Sequence, residues 1–291
     1  MKRSRAVRLG VGAIAAAVLL VLIVAWMAGT SLSAPAPKKI GDLPPDFKGR
    51  EVELRSESGA LLRGWFLPGR AGAGAVILMH GVRASRLDMI PRARLLSSAG
   101  YAVLLFDFQA HGESTGAAIT TGYLESRDAR AAIDFVRGET PGERIGVIGV
   151  SMGGAALALA EPAPRVEAAV FEMVYPTIEQ AIDDRLRMNL GGWGVVFRPL
   201  LTAQLKLRLG ISAEDLRPVD RVGSAPYPKL FIAGAEDKHT TLEESRQLFA
   251  AAGEPKEFWI VEGARHQDLH ALRRREYEER VQGFFEKHLR R

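Results

Sequence analysis

The chain has 291 residues, enough for one large domain with a well-buried core and a modest appendage. It contains no cysteine, which excludes disulfides, thiolate metal sites and a cysteine nucleophile. The net charge of +5 does not indicate nucleic-acid binding, because four basic residues lie within the first eight positions. Without those four, 35 basic residues face 34 acidic ones, so the rest of the chain is close to neutral.

The N-terminal segment is basic and then strongly apolar. Residues 1–8 form a basic tail, and residues 9–28 carry no charge over about 20 positions, the length that a helix needs to cross a bilayer. This order predicts a single membrane span, with the N-terminus cytoplasmic and the rest of the chain extracytoplasmic. The alternative is a signal peptide cut near Ser31 or Ser33, which would release a secreted domain; the length of the apolar run favours the anchor.

Residues 29–47 are rich in proline and small residues and predict a linker to a domain over 48–291. In that domain, short apolar runs alternate with longer amphipathic ones. Strands are predicted at 51–54, 61–66, 75–79, 102–106, 144–150, 166–171, 229–233 and 258–261. Helices are predicted at 87–99, 124–137, 152–160, 242–252 and 268–287. This alternation predicts a mainly parallel sheet covered by helices, with functional residues at the carboxyl ends of its strands.

Residues 173–225 interrupt the alternation between two core strands. Their pattern predicts two amphipathic helices around Gly191 and Gly192. Such an insertion is in a position to cover an active site, so we expect a small helical cap. The alternative is a pair of ordinary helices that flank the sheet without acting as a lid.

The most informative motif is Gly149-Val150-Ser151-Met152-Gly153, which lies between a buried strand and a helix rich in small residues. The pattern G-x-S-x-G in this context is typical of a nucleophile elbow. Glycines on both sides let the flanking backbones approach closely, and the N-terminus of the following helix favours developing negative charge. Ser151 is therefore the candidate nucleophile. The competing explanation is a glycine-rich turn formed for packing alone; the strand–turn–helix context favours the nucleophile.

A serine nucleophile needs a base and an acid, and in nucleophile-elbow enzymes these follow the serine in the order acid, then histidine. His266 comes directly after a strand end and is the candidate base. Asp237 follows the strand at 229–233 and is the candidate acid, with Glu236 as the alternative one position earlier. His266 and His270 could instead share a metal ion, but no matched cluster of further ligands accompanies them.

An oxyanion hole needs two backbone N–H donors near the nucleophile. The first is expected from Met152, directly after Ser151. The second is expected from Val82, in the loop that follows the strand at 75–79, where Gly81 allows close approach. His80 in the same loop is then a structural residue rather than a base.

Several segments resemble the successive signatures of the α/β-hydrolase superfamily, and they occur in that family's order over roughly residues 50–290. They are His80-Gly81, the run from Asp107 to Ser114, the Ser151 elbow, the run from Gly234 to Asp237, and the run from Gly263 to His266. The chain resembles membrane-anchored hydrolases that are similar to serine aminopeptidases and dienelactone hydrolases. The resemblance implies an eight-stranded, mostly parallel sheet, and it implies a structural role for the loop at Asp107.

These features predict a serine hydrolase that cleaves a carboxylic ester or thioester through an acyl-enzyme, without a cofactor or metal. The expected substrate is a small or lipid-like acyl compound, and the expected further partner is the membrane rather than nucleic acid. The oxyanion loop lacks the HGGG run of many lipases. The alternatives are a peptidase or amidase of the same fold, and a catalytically silent, membrane-tethered interaction domain.

Overall fold

The computed structural model describes residues 2–290, and its side chains from residue 8 onward. Its centre is an eight-stranded sheet with the order β10-β9-β8-β7-β4-β5-β3-β2. The strands are β2 (Arg50–Arg55), β3 (Leu61–Leu67), β4 (Ala75–Met79), β5 (Ala102–Phe106), β7 (Ile145–Val150), β8 (Ala168–Glu172), β9 (Lys229–Gly234) and β10 (Lys256–Val261). Only the pairs β2–β3 and β3–β5 are antiparallel. The sequence prediction of a mostly parallel, eight-stranded α/β sheet is therefore confirmed.

The central strands are buried on both faces, which explains their continuous apolar sequences. Along β4, Ile77 and Met79 pack into the core on one face of the sheet, while Val76 and Leu78 pack into the core on the other. This alternation follows from the two-residue period of a strand. The helices that cover the sheet are α2 (Ile90–Ser98), α3 (Glu125–Glu139), α4 (Met152–Leu159), α7 (Leu242–Ala251), α8 (Leu269–Leu272) and α9 (Arg274–Leu289).

Two predicted helices differ in detail from the observed ones. The helix expected at 87–99 begins with a 3₁₀ turn, Arg86–Met89, and becomes α-helical where Pro91 can occupy the first turn. The helix expected at 268–287 is two helices, because Arg273 leaves the helical conformation at φ −128° and ψ 50°. A single continuous helix was the wrong prediction here: the periodicity of the two pieces is similar, and no glycine or proline marks the break.

The N-terminal helix α1 (Lys2–Ser33) continues five residues beyond the predicted apolar span. Its segment Arg8–Ser33 is long and apolar enough to cross a membrane or to act as a signal sequence, and none of the residues in its most apolar stretch is buried. The chain then attaches to the domain. Strand β1 (Ala36–Pro37) pairs in parallel with β6 (His111–Gly112), and Ile40 donates a backbone hydrogen bond to Glu113. This part of the expected linker is thus fixed to the loop after β5.

Between β8 and β9 lies the segment that the sequence marked as an insertion. It begins with α5 (Ile178–Leu190), whose first turn is capped by the Thr177 side chain. After Gly191 the chain forms only short pieces: a 3₁₀ helix over Gly192–Phe197, α6 (Arg198–Gln204), and a π-helical turn over Leu205–Leu209. The second of the two expected helices is therefore irregular, and further 3₁₀ turns lead back to β9.

Candidate active site

Ser151 lies in the sharp turn between β7 and α4, at the carboxyl edge of the sheet. Its backbone has φ 50° and ψ −114°, a conformation that a non-glycine residue rarely adopts and that is common at functional sites. The turn is held because the Ser151 N–H donates a 2.8 Å hydrogen bond to the Glu172 carbonyl at the end of the neighbouring strand. Only 7% of Ser151 is exposed, so the hydroxyl lies in a nearly enclosed place.

The glycines of the motif have different steric roles. A Cβ on Gly153 would lie 2.4 Å from the Met79 carbonyl oxygen, and one on Gly149 would lie 2.5 Å from the Cα of Gly154. Both positions therefore require glycine for packing of the turn against β4 and α4. Gly81 differs, because a Cβ there would meet Ser151 Cβ at 3.6 Å, an ordinary contact. The expected need for close backbone approach at Gly81 is therefore not observed, and its missing side chain instead leaves space beside the serine.

The structure brings Asp237 and His266 together from two neighbouring strand ends. His266 Nδ1 lies 2.7 Å from Asp237 Oδ2, and the aspartate side chain is fully buried while 20% of the histidine side chain is exposed. The other oxygen, Oδ1, accepts backbone N–H groups from His239 and Thr240. The alternative acid Glu236 is exposed and faces Arg265 instead. An aspartate held in this way can orient the imidazole with Nε2 toward a reacting group.

Ser151 and His266 are not hydrogen-bonded to each other within the part of the chain that the structure describes. Catalytic hydrogen bonds in unliganded enzymes are often long and tighten only when substrate is bound. What the structure does bring to one edge is the carboxyl end of β7, which carries the serine, and the loops after β9 and β10, which carry the acid and the histidine. This is the edge where open α/β sheets bind ligands.

The two expected oxyanion donors, Met152 and Val82, lie in two separate turns that are stabilised by different contacts. Met152 is the first residue of α4, so its N–H has no partner within the helix. Val82 lies in the loop after β4, which two buried histidines attach to the loop after β5. His80 Nε2 accepts the Phe108 N–H at 3.1 Å, and His111 Nε2 accepts the Arg83 N–H at 2.9 Å. Arg83, next to Val82, is thereby held at φ 59°.

Each of these histidines has its Nδ1 against a backbone carbonyl, at 2.7 Å for His80 and 2.8 Å for His111. With one nitrogen donating and the other accepting, both rings are satisfied as neutral imidazoles. Burial lowers the pKa of His80 to about 3 and also lowers the pKa of His111. His80 thus has the structural role expected from the sequence, since a ring that bonds on both nitrogens inside the core cannot serve as a base for Ser151.

On the other side of His266 lies a group of ionisable residues that the sequence did not single out. The His239 ring is 5.1 Å from the His266 ring, and burial, followed by the charges of Arg185 and His266, lowers the pKa of His239. Arg185, from α5, donates a 2.6 Å hydrogen bond to the His239 carbonyl. One arginine therefore connects the insertion to the loop that carries the acid.

Beneath this contact, two carboxyl groups face each other: Asp184 of α5 and Glu244 of α7. Burial and the hydrogen bond with Asp184 raise the pKa of Glu244 to about 7. Asp184 Oδ2 is buried and receives no hydrogen bond from the described residues. The insertion and the sheet domain therefore meet at a contact between two carboxyl groups, where burial raises the pKa of Glu244.

A second group that sequence analysis missed supports the serine turn from below. The Glu172 carboxylate accepts a 2.7 Å hydrogen bond from Arg92 and a short one from the Tyr277 hydroxyl, and all three side chains are buried. The backbone carbonyl of the same glutamate holds the Ser151 N–H. The available signal was a charged residue at the end of the fully apolar run at 168–171, where an unpaired carboxylate would be costly to bury.

The remaining predicted residue, His270, does not join the site. Its Nε2 lies 3.0 Å from Glu278, while His266 bonds to Asp237, so the two rings bond to different carboxylates. Across the described residues no group of three or more His, Asp or Glu side chains is arranged to hold a metal ion.

Comparison with known proteins agrees with this geometry. A family model described as serine aminopeptidase, S33, matches residues 71–177, which contain the oxyanion loop and the serine turn. The structure of an esterase from Pyrococcus furiosus superposes with a TM-score of 0.72 at 24% identity, covering 88% of this chain and 98% of that one. The chain has the α/β-hydrolase fold.

Matches to curated proteins extend over most of the chain. An α/β-hydrolase domain-containing protein, WAV2, from Arabidopsis thaliana is 26% identical over 214 residues, which cover 69% of this chain and 66% of that protein. The uncharacterized protein Rv2307c of Mycobacterium tuberculosis is 29% identical over 245 residues, covering 82% and 79%. These similarities confirm the expectation of an enzyme of the α/β-hydrolase type.

Proposed function

We propose that the protein is a serine hydrolase that cleaves a carboxylic ester or thioester through an acyl-enzyme. The observation that carries the proposal is the strained Ser151 turn at the same sheet edge as the hydrogen-bonded pair of Asp237 and His266. His266 removes the proton of Ser151 as the hydroxyl oxygen attacks the carbonyl carbon, and Asp237 stabilises the imidazolium that forms. The N–H groups of Met152 and Val82 bind the oxyanion.

His266 then protonates the leaving oxygen or sulfur, and water attacks the acyl-enzyme with the same histidine as base. The strand–turn–helix context and the chain order of the three residues support this assignment. The fold similarity to an esterase agrees with the reaction class but does not by itself assign it.

The second candidate is a peptidase, which the partial match to the serine aminopeptidase model favours. An aminopeptidase needs a carboxylate to anchor the substrate amine. Two buried aspartates of α5 already bond to arginines: Asp183 to Arg198 at 2.8 Å, and Asp184 to Arg187 at 3.1 Å. Because these aspartates are already paired, they are poor anchors for a substrate amine, which favours cleavage of esters over cleavage of peptides.

A substrate panel tests the proposal: acyl esters of graded chain length, matched acyl thioesters and aminoacyl anilides, each compared with Ser151→Ala and with the control Ser97→Ala, a partly exposed serine on α2. We expect kcat/KM for esters or thioesters to exceed that for anilides by at least about 100-fold, the scale of discrimination that a site achieves. Equal or faster cleavage of anilides identifies a peptidase. Turnover that survives in Ser151→Ala contradicts the mechanism, and no turnover of any substrate favours the silent domain.

We further propose that α1 is an uncleaved anchor, with residues 9–28 in the membrane and residues 48–291 outside the cytoplasm. The basic tail sets this orientation. Contacts between the end of α1 and the folded domain support an uncleaved helix. The Arg83 guanidinium donates a 2.9 Å hydrogen bond to the Ser31 carbonyl, and the Ile119 N–H donates one to the Ser33 carbonyl. Sequencing of the mature N-terminus tests the proposal, and a start near residues 30–37 would contradict it.

A further inference from the structure

The segment 188–209, which we term the cap face, exposes apolar side chains to an unusual degree. Outside α1, six large apolar residues of the described chain are exposed, and five belong to this face. The six are Met188, Leu190, Trp193, Val196, Leu207 and Leu272. Trp193, Val196 and Leu207 are each more than 60% exposed. A cluster of this kind indicates an interaction site, because single exposed apolar residues would be spread over the surface.

The charged residues within the cap face are all basic. Residues 186–213 contain four basic residues and no acidic one. Two of the four, Arg187 and Arg198, bond to aspartates of α5. Lys206 is exposed beside Leu207 and has no acidic partner among the described residues. Segments that lie in the interface of an anionic membrane typically combine basic side chains with exposed leucine and tryptophan.

The cap face is continuous with the apolar helix α1. Gln204 Nε2 bonds to the Ala25 carbonyl at 2.9 Å, and the Arg208 guanidinium stacks on the Trp26 ring at 3.6 Å from its centroid. A Cβ on Gly29 would lie 2.2 Å from Gln204 Oε1, so the small residue permits this close packing. These contacts fall at the end of the span predicted at 9–28, where tryptophan is enriched at the membrane surface.

We propose that the cap face lies in the interface of an anionic lipid bilayer, beside the outer end of α1. The inference rests on the proposal that α1 is a retained anchor, because α1 then holds Gln204 and Arg208 at headgroup depth. Leu207, Val196 and Trp193 enter the interface, while Lys206 and Arg208 reach the lipid phosphates. A second copy of the chain is a poorer occupant, because two such faces would bring their basic residues together.

The absence of cysteine permits a direct test in the full chain. Single cysteines at Val196, Leu207, Val18 and Leu272 are each labelled with an environment-sensitive fluorophore, and the protein is reconstituted in vesicles of phosphatidylcholine with or without phosphatidylserine. Nitroxide groups on the acyl chains quench probes in the membrane, and iodide quenches probes in water. Val18 reports on the anchor, and Leu272, an exposed leucine of the sheet domain, is the matched control.

We expect nitroxide lipids to quench probes at positions 18, 196 and 207, and iodide alone to quench the probe at 272. In vesicles with phosphatidylserine, Lys206→Gln shifts the equilibrium at position 207 toward water by about five-fold, the effect of roughly one surface charge. The same substitution has little effect in phosphatidylcholine alone.

Three results overturn the inference. Probes at 196 and 207 that behave like the one at 272, while position 18 stays in lipid, show that the cap face is free in water. Protection at 196 and 207 from both quenchers that disappears on dilution of the protein in lipid identifies a second copy. Loss of lipid quenching at position 18 overturns the anchor itself. None of these readouts measures hydrolysis, so failure here is separate from failure of the proposed reaction.

Discussion

Two parts of the protein border the candidate site: the strand ends of the sheet with their loops, which we term the sheet wall, and the insertion at 173–225. They are stabilised in different ways. On the sheet side, strand ends carry the proposed reacting groups, and buried side chains fix the surroundings: His80 and His111 each accept a hydrogen bond from the backbone of a neighbouring loop, and the Glu172 carboxylate bonds to Arg92. The insertion has one regular helix, several irregular turns, and an exposed apolar and basic surface. The sheet side is therefore fixed by buried hydrogen bonds, whereas the insertion presents a large part of its apolar side chains to the surface.

The largest expected effect comes from the acid on the sheet side. Asp237→Asn keeps the shape of the side chain but removes its charge and alters the preferred imidazole tautomer. We expect kcat to fall by roughly 10⁴-fold, as in other serine triads. Glu236→Gln, one position earlier on an exposed side chain, is the control and should leave kcat within about two-fold of wild type. Equal losses in the two variants would contradict the choice of Asp237.

The next effect concerns the buried support beneath Ser151. Glu172→Gln leaves the Arg92 guanidinium buried without its carboxylate, and breaking a buried pair in this way costs about 3–5 kcal/mol. Tyr277→Phe removes one hydrogen bond from the same carboxylate and should cost about 1–3 kcal/mol. Thermal melting of the full chain in detergent measures both. A melting temperature that is unchanged in Glu172→Gln would show that the network does not hold the turn.

The sheet wall should also weaken in acid. The folded-state pKa of His80, about 3, lies below the ordinary value near 6.5, so the unfolded chain binds more protons between those values. The contribution of His80 to the stability of the fold is therefore complete above pH 6.5 and decreases as the pH falls toward 3. His80→Gln should be less stable than wild type at pH 7 by about 1–3 kcal/mol and lose less stability on acidification. Parallel melting curves from pH 7 to 4 would refute the assignment.

The contact between Glu244 and the insertion should make the stability depend on pH in the opposite direction to His80, and by a smaller amount. The folded-state pKa of Glu244, about 7, lies above its ordinary value, so its protonated form stabilises the fold below pH 4.5, and that stabilisation is lost as the pH rises through 7. Glu244→Gln should remove this loss and melt at a relatively higher temperature than wild type above pH 7. Glu243→Gln, its exposed neighbour on α7, is the control.

Local sequence predicted the sheet wall well and the insertion poorly. The β4 and β7 runs and the Ser151 motif depend on burial and on turn sterics, which act over a few residues and leave a visible pattern. Glu172 is 80 positions from Arg92 and 105 positions from Tyr277 in the sequence, so no local pattern predicts that these three residues bond to one another. The break at Arg273 and the irregular helices after Gly191 are likewise not marked by a local pattern.

The central claim is that Ser151 is an activated nucleophile. The most direct measurement is reaction of the full chain with a fluorophosphonate, followed by mass spectrometry of the labelled peptide. The account predicts one adduct, on Ser151, that is lost in Ser151→Ala and strongly slowed in His266→Gln, while Ser97→Ala labels like wild type. An adduct on another residue, or equal labelling of wild type and Ser151→Ala, would contradict it.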